Sequence, residues 1–362
     1  MSLIKAVHVS DVPNHNTSNL DHQLTKNAAF HHHSTSKIVS KGMLLLGGGE
    51  EVGKKMVVIG HRGSGMNMMY STDQRMKILK ENSILSFNNA AKFPIVFVEF
   101  DVQVTKDDCP VIFHDNLILT RDKGVIIEKR ISDITLEEFL SYGPQKEPEK
   151  VGKPLYRKTK DGRIFEWKVE KDDPQCTLQE VFQKVEHSLG FNIELKLDDN
   201  NIVYKEEELT NFLEAIMKVV NEYAKDRPII FSSFQPDAAL LIRKLQDKYP
   251  VFFLTNGGSE VYTDIRRNSL EEAIKLCLEG GLQGIVSQVK AIFRDPGAIA
   301  KIKESVLKLI TYGQLNNVPE VVYMQHLMGV EGVIVDLVQE ITEAVSDSIH
   351  PGEEGEEISP FE

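Results

Sequence analysis

The chain has 362 residues, of which 41% are hydrophobic and 27% charged, with a formal net charge of −12. At about 150 residues per domain this length suits two domains or one large α/β barrel, and the apolar share excludes global disorder. The acidic balance argues against a generic nucleic-acid binder, and no apolar run approaches the ~20 residues needed for stable membrane insertion. A small-molecule substrate fits better, and the oligomeric state is not legible.

Residues 1–55 read as a flexible N-terminal segment. Its first 41 residues carry four Lys, two Asp and no Arg, and they lack a secretory apolar stretch. That composition is compatible with a plastid-type transit peptide. The run His31-His32-His33 reads as solvated tail. Cys109, Cys176 and Cys277 are widely separated and not in metal-ligand spacing, which points to a reduced, intracellular protein.

From Met56 onward, short apolar runs alternate with helical patterns. Strands are predicted at Met56–His61, Ile95–Thr105, Val111–Asp115, Phe191–Leu197, Ile229–Phe234, Val251–Thr255, Gly284–Gln288, Lys308–Tyr312 and Gly332–Asp336. Helices are predicted at Ser83–Lys92, Leu178–His187, Glu206–Lys225, Asp237–Lys248, Leu270–Glu279, Pro296–Lys308 and Pro319–Leu327. This alternation implies βαβ units and a parallel sheet. Only Lys106–Pro110 separates the second strand from the third, whereas a parallel crossover needs about a dozen residues. These two strands must therefore pair antiparallel, and a turn centred on Asp107-Asp108 would set Asp101 opposite His114.

Eight parallel strands remain, as in a TIM (β/α)₈ barrel; an open doubly wound sheet is the alternative. Residues 56–342, less an insertion at 118–176, leave about 230 residues for the barrel, close to the ~250 that is typical. The insertion holds Pro144, Pro148, Pro154 and Pro174 among many charges, and the only Trp, Trp167. Its segment Leu155–Val169 reads as a hairpin turning at Asp161-Gly162, either a lid or a solvated excursion. Residues 343–362, with seven acids and no Lys or Arg, read as an acidic disordered tail.

Along the second strand, period two puts Val96, Val98, Phe100, Val102 and Val104 on one face and Glu99, Asp101 and Gln103 on the other. In a barrel the apolar face meets the helices, so both carboxylates point inward near the C-terminal mouth. They lie about 7 Å apart along the strand, within reach of one hard cation. The fourth strand repeats the pattern, with Ile193, Leu195 and Leu197 outward and Asn192, Glu194 and Lys196 inward. A divalent cation, Mg²⁺ or Ca²⁺, resolves the repulsion among Glu99, Asp101 and Glu194; a structural network with Lys196 and Arg62 is the alternative. His61 and His114, at strand C-termini, suit an acid/base pair, while Arg62 and Lys196 suit an anionic phosphate. With no P-loop, dinucleotide fingerprint or GxSxG elbow, these groups point to phosphoryl chemistry on a phosphodiester.

The ordered series His61-Arg62-Gly63, Glu81-Asn82 with Ser86-Phe87, Val98–Asp115, Asn192–Lys196 and Ser232–Phe234 resembles the glycerophosphodiester phosphodiesterase family, in particular its plant members. The resemblance spans residues 56–342. It implies a TIM barrel that hydrolyses glycerophosphodiesters, such as glycerophosphocholine, to sn-glycerol 3-phosphate and an alcohol. It implies Glu99, Asp101 and Glu194 as ligands of one divalent cation and His61 and His114 as acid and base. Arg62 and Lys196 would contact the phosphate, and Glu81 would line the substrate site. Plant relatives occur in plastids or cytosol. Where the family usually has Pro before its Glu-Asn pair, this chain has Lys80. Two other activities stay open: a lysophospholipase D-like reaction, which calls for an apolar ramp that the charged insertion 143–173 does not offer, and a catalytically silent barrel that binds phosphodiester or metal.

Overall fold

The structure, a computed structural model, describes residues 56–198 and 203–349. The N-terminal segment 1–55 and the acidic residues from His350 onward lie outside the described residues. The strands are β1 (Val57–Gly60), β2 (Phe97–Val104), β3 (Pro110–Ile112), β4 (Ile118–Asp122), β5 (Val125–Lys129), β6 (Tyr156–Lys158), β7 (Ile164–Glu166), β8 (Gly190–Leu195), β9 (Ile229–Ser233), β10 (Val251–Thr255), β11 (Gly284–Gln288), β12 (Lys308–Tyr312) and β13 (Gly332–Val335). The helices are α1 (Ile84–Ala90), α2 (Leu136–Leu140), α3 (Leu178–Lys184), α4 (Glu206–Tyr223), α5 (Pro236–Leu245), α6 (Leu270–Gly280), α7 (Val289–Arg294), α8 (Gly297–Glu304), α9 (Pro319–Met328) and α10 (Val338–Ile349).

Strands β1, β2 and β8 to β13 pair in parallel, each with the next, and β13 returns to β1 with Val58 opposite Val333. The sheet is thus a closed eight-stranded barrel, and the open-sheet alternative is excluded. Strands such as Ile229–Ser233 are buried along their whole length, facing helices on one side and the barrel interior on the other. Val98, Phe100, Val102, Phe191, Ile193 and Leu195 point outward and join one core with Val181 and Phe182 of α3 and Leu213, Ile216 and Val220 of α4. Val57, Ile59, Phe97, Ile230, Phe252, Leu254, Val286, Ile310 and Ile334 fill the inside. Val96, which precedes β2, packs against this interior set rather than outward. A Cβ on Gly190 would come within 2.5 Å of the Phe97 ring, so the missing side chain on β8 is what lets the aromatic ring of β2 lie across the barrel. Above this plug the inward positions turn polar, through Glu99 and Asp101 on β2, Asn192 and Glu194 on β8, and Ser232 on β9, all buried.

The β2–β3 hairpin is real, but its register differs from expectation by one residue. Val102 faces Ile112, Val104 faces Pro110, and Phe113 N–H donates to the Asp101 carbonyl (3.1 Å), so Asp101 lies opposite Phe113 and not His114. The turn holds three residues, Lys106–Asp108, because Asp108 adopts the left-handed region (φ 58°), which Asp tolerates better than most residues. Thr105 closes it: its N–H donates to the Cys109 carbonyl and its hydroxyl to Asp107. A one-residue shift exchanges the faces of a strand. Ile112 accordingly joins the barrel's outer core, while Val111 and Phe113 point into a separate core built by the insertion.

The insertion is neither a bare lid nor a solvated excursion. It is a packed four-stranded antiparallel sheet, in order β5-β4-β6-β7, over a core that includes Ile131, Phe139, Tyr142, Leu155 and Trp167. Its expected hairpin is β6–β7, with Arg157 opposite Phe165 and Gly162 at φ 84° in the turn. At the other end of the chain, α10 runs seven residues into the stretch expected to be an acidic tail. Val338, Ile341 and Val345, spaced three and four apart, are buried and carry the helix past Glu343.

Candidate active site

The loop after β1 places two chemical groups in opposite directions. Arg62 takes the left-handed conformation (φ 49°), and Gly63 passes so close to α1 that a Cβ there would meet Ser86 Oγ at 2.5 Å. The turn lets Arg62 N–H donate to Glu99 (3.0 Å) while its carbonyl accepts from Asn82 N–H (3.0 Å). Asn82 is itself left-handed (φ 52°), and Ser83 then caps α1. His61 turns the other way. Its Nδ1 meets Asp336 Oδ1 at 2.7 Å, just beyond β13, and Asp336 also accepts from Met66 N–H and Asn317 Nδ2. A carboxylate can only accept, so Nδ1 carries the proton and Nε2 is left facing Glu99, at 3.9 Å. Burial disfavours the charged ring, but the Asp336 charge and hydrogen bond outweigh it and raise the His61 pKa.

Glu99, Asp101 and Glu194 converge inside the mouth as expected, with one oxygen of each within 4.8 Å of the others. Oxygens held at about 2.4 Å from a common Ca²⁺ could be separated by up to about that distance. Asp101 Oδ2 accepts from Asn82 Nδ2 (2.9 Å), whereas its Oδ1 is buried with no hydrogen-bond partner. Burial, then the Asp101 charge, pushes the Glu99 carboxyl up to about 8; burial also raises Glu194, although Lys196 Nζ donates to it at 3.1 Å. An orphaned carboxylate oxygen and an all-oxygen donor set fit a hard divalent cation.

His114 reaches the same mouth from the end of the hairpin. Its Nδ1 pairs with Asp115 Oδ1 at 2.8 Å, and burial together with the Arg62 and Lys196 charges lowers its pKa to about 4. Glu81 does not reach the open mouth. It is fully buried, and its oxygens accept from Arg62 Nη1 (2.8 Å), Arg157 Nη2 (2.6 Å) and Nη1 (3.1 Å), and Asn67 N–H. Burial alone would raise that carboxyl; Arg157 and Arg62 hold it well below the ordinary range. Glu81 therefore supports Arg62 from behind. Beside the mouth lies a cavity of about 460 Å³, lined by Arg62 and His114 and walled by Met66, Met68, Tyr70 and Phe165. The insertion, expected to offer no apolar surface here, supplies Phe165.

The model of the glycerophosphoryl diester phosphodiesterase family matches residues 61–340, from the first site histidine to α10. The chain belongs to this family. It is therefore an enzyme, a phosphodiesterase. It is 64% identical over 316 residues to glycerophosphodiester phosphodiesterase GDPD3 of Arabidopsis thaliana, covering 87% of this chain and 85% of that one. It is 59% identical over 349 residues to the chloroplastic GDPD1 of the same plant, covering 96% and 91%. Its barrel is similar to an Oleispira antarctica phosphodiesterase solved with the product sn-glycerol-3-phosphate, at a TM-score of 0.56 and 21% identity over 80% of this chain and 96% of that one.

Of the enzyme's eight site residues expected from sequence, seven gather at the mouth and Glu81 sits behind them. Sequence reasoning missed four others, among them Asp115, which followed His114 in the strand reading without a role of its own. Asp336 carried a readable signal, a carboxylate at the C-terminal end of a barrel strand. Asn82 stood in the Glu-Asn pair without a role of its own. Arg157 had no signal, being one cation among many in the insertion.

Proposed function

We propose that this enzyme hydrolyses glycerophosphodiesters, such as glycerophosphocholine and glycerophosphoethanolamine, to sn-glycerol 3-phosphate and an alcohol, with one divalent cation, Mg²⁺ or Ca²⁺. The observation that carries this reading is the convergence of three carboxylate oxygens within 4.8 Å beside two histidines, each oriented by its own carboxylate. Glu99, Asp101 and Glu194 would hold the cation, which supplies positive charge against the charge building on the phosphoryl oxygens. Arg62, whose buried Nε faces Asp101 Oδ2 at 3.5 Å, and Lys196 would contact the phosphate and add to that charge. One histidine takes the proton of the attacking hydroxyl, carried by water or by the neighbouring glycerol carbon, and the other gives a proton to the leaving alcohol; attack by the glycerol hydroxyl leaves a cyclic phosphate, which water then opens to sn-glycerol 3-phosphate. Each transfer contributes about 10²–10⁴-fold. The test is release of glycerol 3-phosphate from glycerophosphocholine with Mg²⁺ or Ca²⁺, with and without chelator. Full activity in His61→Ala or His114→Ala would sink the assignment.

One observation favours a second reading. The apolar wall of Met66, Met68, Met69, Tyr70 and Phe165 beside Arg62 and His114 suits a lysophospholipid, so a lysophospholipase D-like reaction stands as the alternative. Release of choline and lysophosphatidic acid from lysophosphatidylcholine, measured beside release of glycerol 3-phosphate from glycerophosphocholine, decides between the two. A catalytically silent barrel is disfavoured by the intact His pair and carboxylate cluster.

For the chain as a whole, the reading is a barrel domain at 56–342 that follows an N-terminal segment with a plastid address. The support for plastid is the high identity to a relative named chloroplastic. A fluorescent reporter carrying residues 1–55 tests it; a cytosolic signal would overturn it. No described helix is long and apolar enough to cross a membrane.

A further inference from the structure

The insertion places one cation between the two halves of the active site, and its bonding is complete. Arg157, on β6, donates through Nε to Asp115 Oδ2 (2.8 Å) and through Nη2 to Asp115 Oδ1 (3.0 Å) and Glu81 Oε1 (2.6 Å). Its Nη1 donates to Glu81 Oε2 (3.1 Å) and to the Asn67 carbonyl (2.8 Å). A guanidinium has five N–H donors in a fixed planar fork, and here all five are used. The plane lies 3.8 Å from the ring of Trp167, whose Nε1 donates to Asn67 Oδ1 (3.0 Å). Both acceptors of Arg157 have a second duty at the site. Asp115 Oδ1 also holds His114 Nδ1 at 2.8 Å, and Glu81 Oε1 also holds Arg62 Nη1 at 2.8 Å.

We propose that Arg157 is a positioning residue: through Asp115 it fixes the ring of His114, and through Glu81 it fixes the guanidinium of Arg62, so that the insertion completes the active site. This rests on the reading of His114 and Arg62 as catalytic and phosphate-binding groups. Lys in place of Arg157 offers three donors on a point charge and cannot span two carboxylates as a planar fork does. His114 would then be free to rotate about a carboxylate that has lost its own anchor, while the metal ligands on β2 and β8, which Arg157 does not touch, would stay in place.

The test uses the full chain with glycerophosphocholine and Mg²⁺, comparing wild type, Arg157→Lys and Arg157→Ala. Small misplacements of reacting groups cost about 10²-fold in rate, so kcat in Arg157→Lys should fall by about that factor while KM changes no more than about threefold. Guanidinium at tens of millimolar should restore at least tenfold of the lost kcat in Arg157→Ala, with urea at equal concentration restoring none. The fluorescence of Trp167, the only Trp in the chain, reports folding of the insertion beside the substituted position. Unchanged kcat in Arg157→Lys overturns the proposal. So does loss of near-ultraviolet circular dichroism in both variants, which would make Arg157 a residue of the fold and not of the site. Absence of turnover by wild type would instead overturn the substrate reading on which the proposal rests.

Discussion

His61 and Asp336 stand 275 positions apart in the chain and meet at 2.7 Å, because β1 and β13 are the strands that close the barrel. Asp336 keeps the Nδ1 proton in place and aims Nε2 at the carboxylate cluster. In Asp336→Asn the amide can donate to the ring and stabilise the wrong tautomer, which in comparable carboxylate–histidine pairs costs up to about 10⁴ in kcat. A fall of at least about 10²-fold is expected here. Asp336 also raises the His61 pKa against burial, so the titration of His61 should move to lower pH in the variant. The pH–rate profile and the imidazole proton resonances measure the two effects.

Cation affinity should depend on pH with a defined sign. Burial and the Asp101 charge hold the metal-free Glu99 carboxyl at about 8, so below that pH a proton must leave before the oxygen can bind a cation. Calorimetric titration with Mg²⁺ should show weaker binding at pH 6 than at pH 8.5 and proton release on binding. Asp101→Asn should lose binding at both pH values and lose turnover with it.

Lys80 predicts a distinct pH effect on stability. Its ammonium lies 3.2 Å from the ring centre of Trp167 with no hydrogen-bond partner, and burial, which the nearby Asp172 charge opposes, lowers its pKa from 10.5 to about 8. A base with a depressed folded pKa binds fewer protons folded than unfolded between those two values. Its share of the stability therefore rises with pH from about 8 to 10.5 and is lowest below 8. Urea melts at pH 7.5 and 9.5 should show that rise in wild type and a smaller one in Lys80→Met.

Phe100 faces the helices, fully buried, with its ring 5.3 Å from Phe87 and 5.1 Å from Phe191. Phe100→Ala should cost about 3–5 kcal/mol, through lost transfer energy and the cavity left behind. Denaturant unfolding measures the loss. Phe100 shares β2 with Glu99 and Asp101 but faces away from them, so the cation affinity of the protein that remains folded should be unchanged.

Much of this enzyme was legible because it rests on local periodicity. Period-two alternation in β2 and β8 is enough to put Glu99, Asp101, Glu194 and Lys196 inside, since a closed parallel sheet has only a packed outside and an inside. The five-residue gap at Lys106–Pro110 forced a hairpin and so left eight strands. Helices α2, α7 and α10 had no counterpart in the sequence reading. The first two are only five and six residues long, and the third carries three acids, whose charge hides the buried face at Ile341 and Val345.

The barrel, the inward carboxylates and the histidines at strand ends all follow from patterns a few residues long. Which groups hold those histidines, and what Arg62 leans on, depends on the assembled fold. Asp336 reaches His61 through barrel closure, and Arg157 reaches Asp115 and Glu81 from a hairpin 42 and 76 positions away. The register of β2 and β3 goes with the left-handed backbone at Asp108, and it puts Val111 and Phe113 into the core of the insertion. Such contacts leave no local pattern, because their energy appears only when distant segments are brought together.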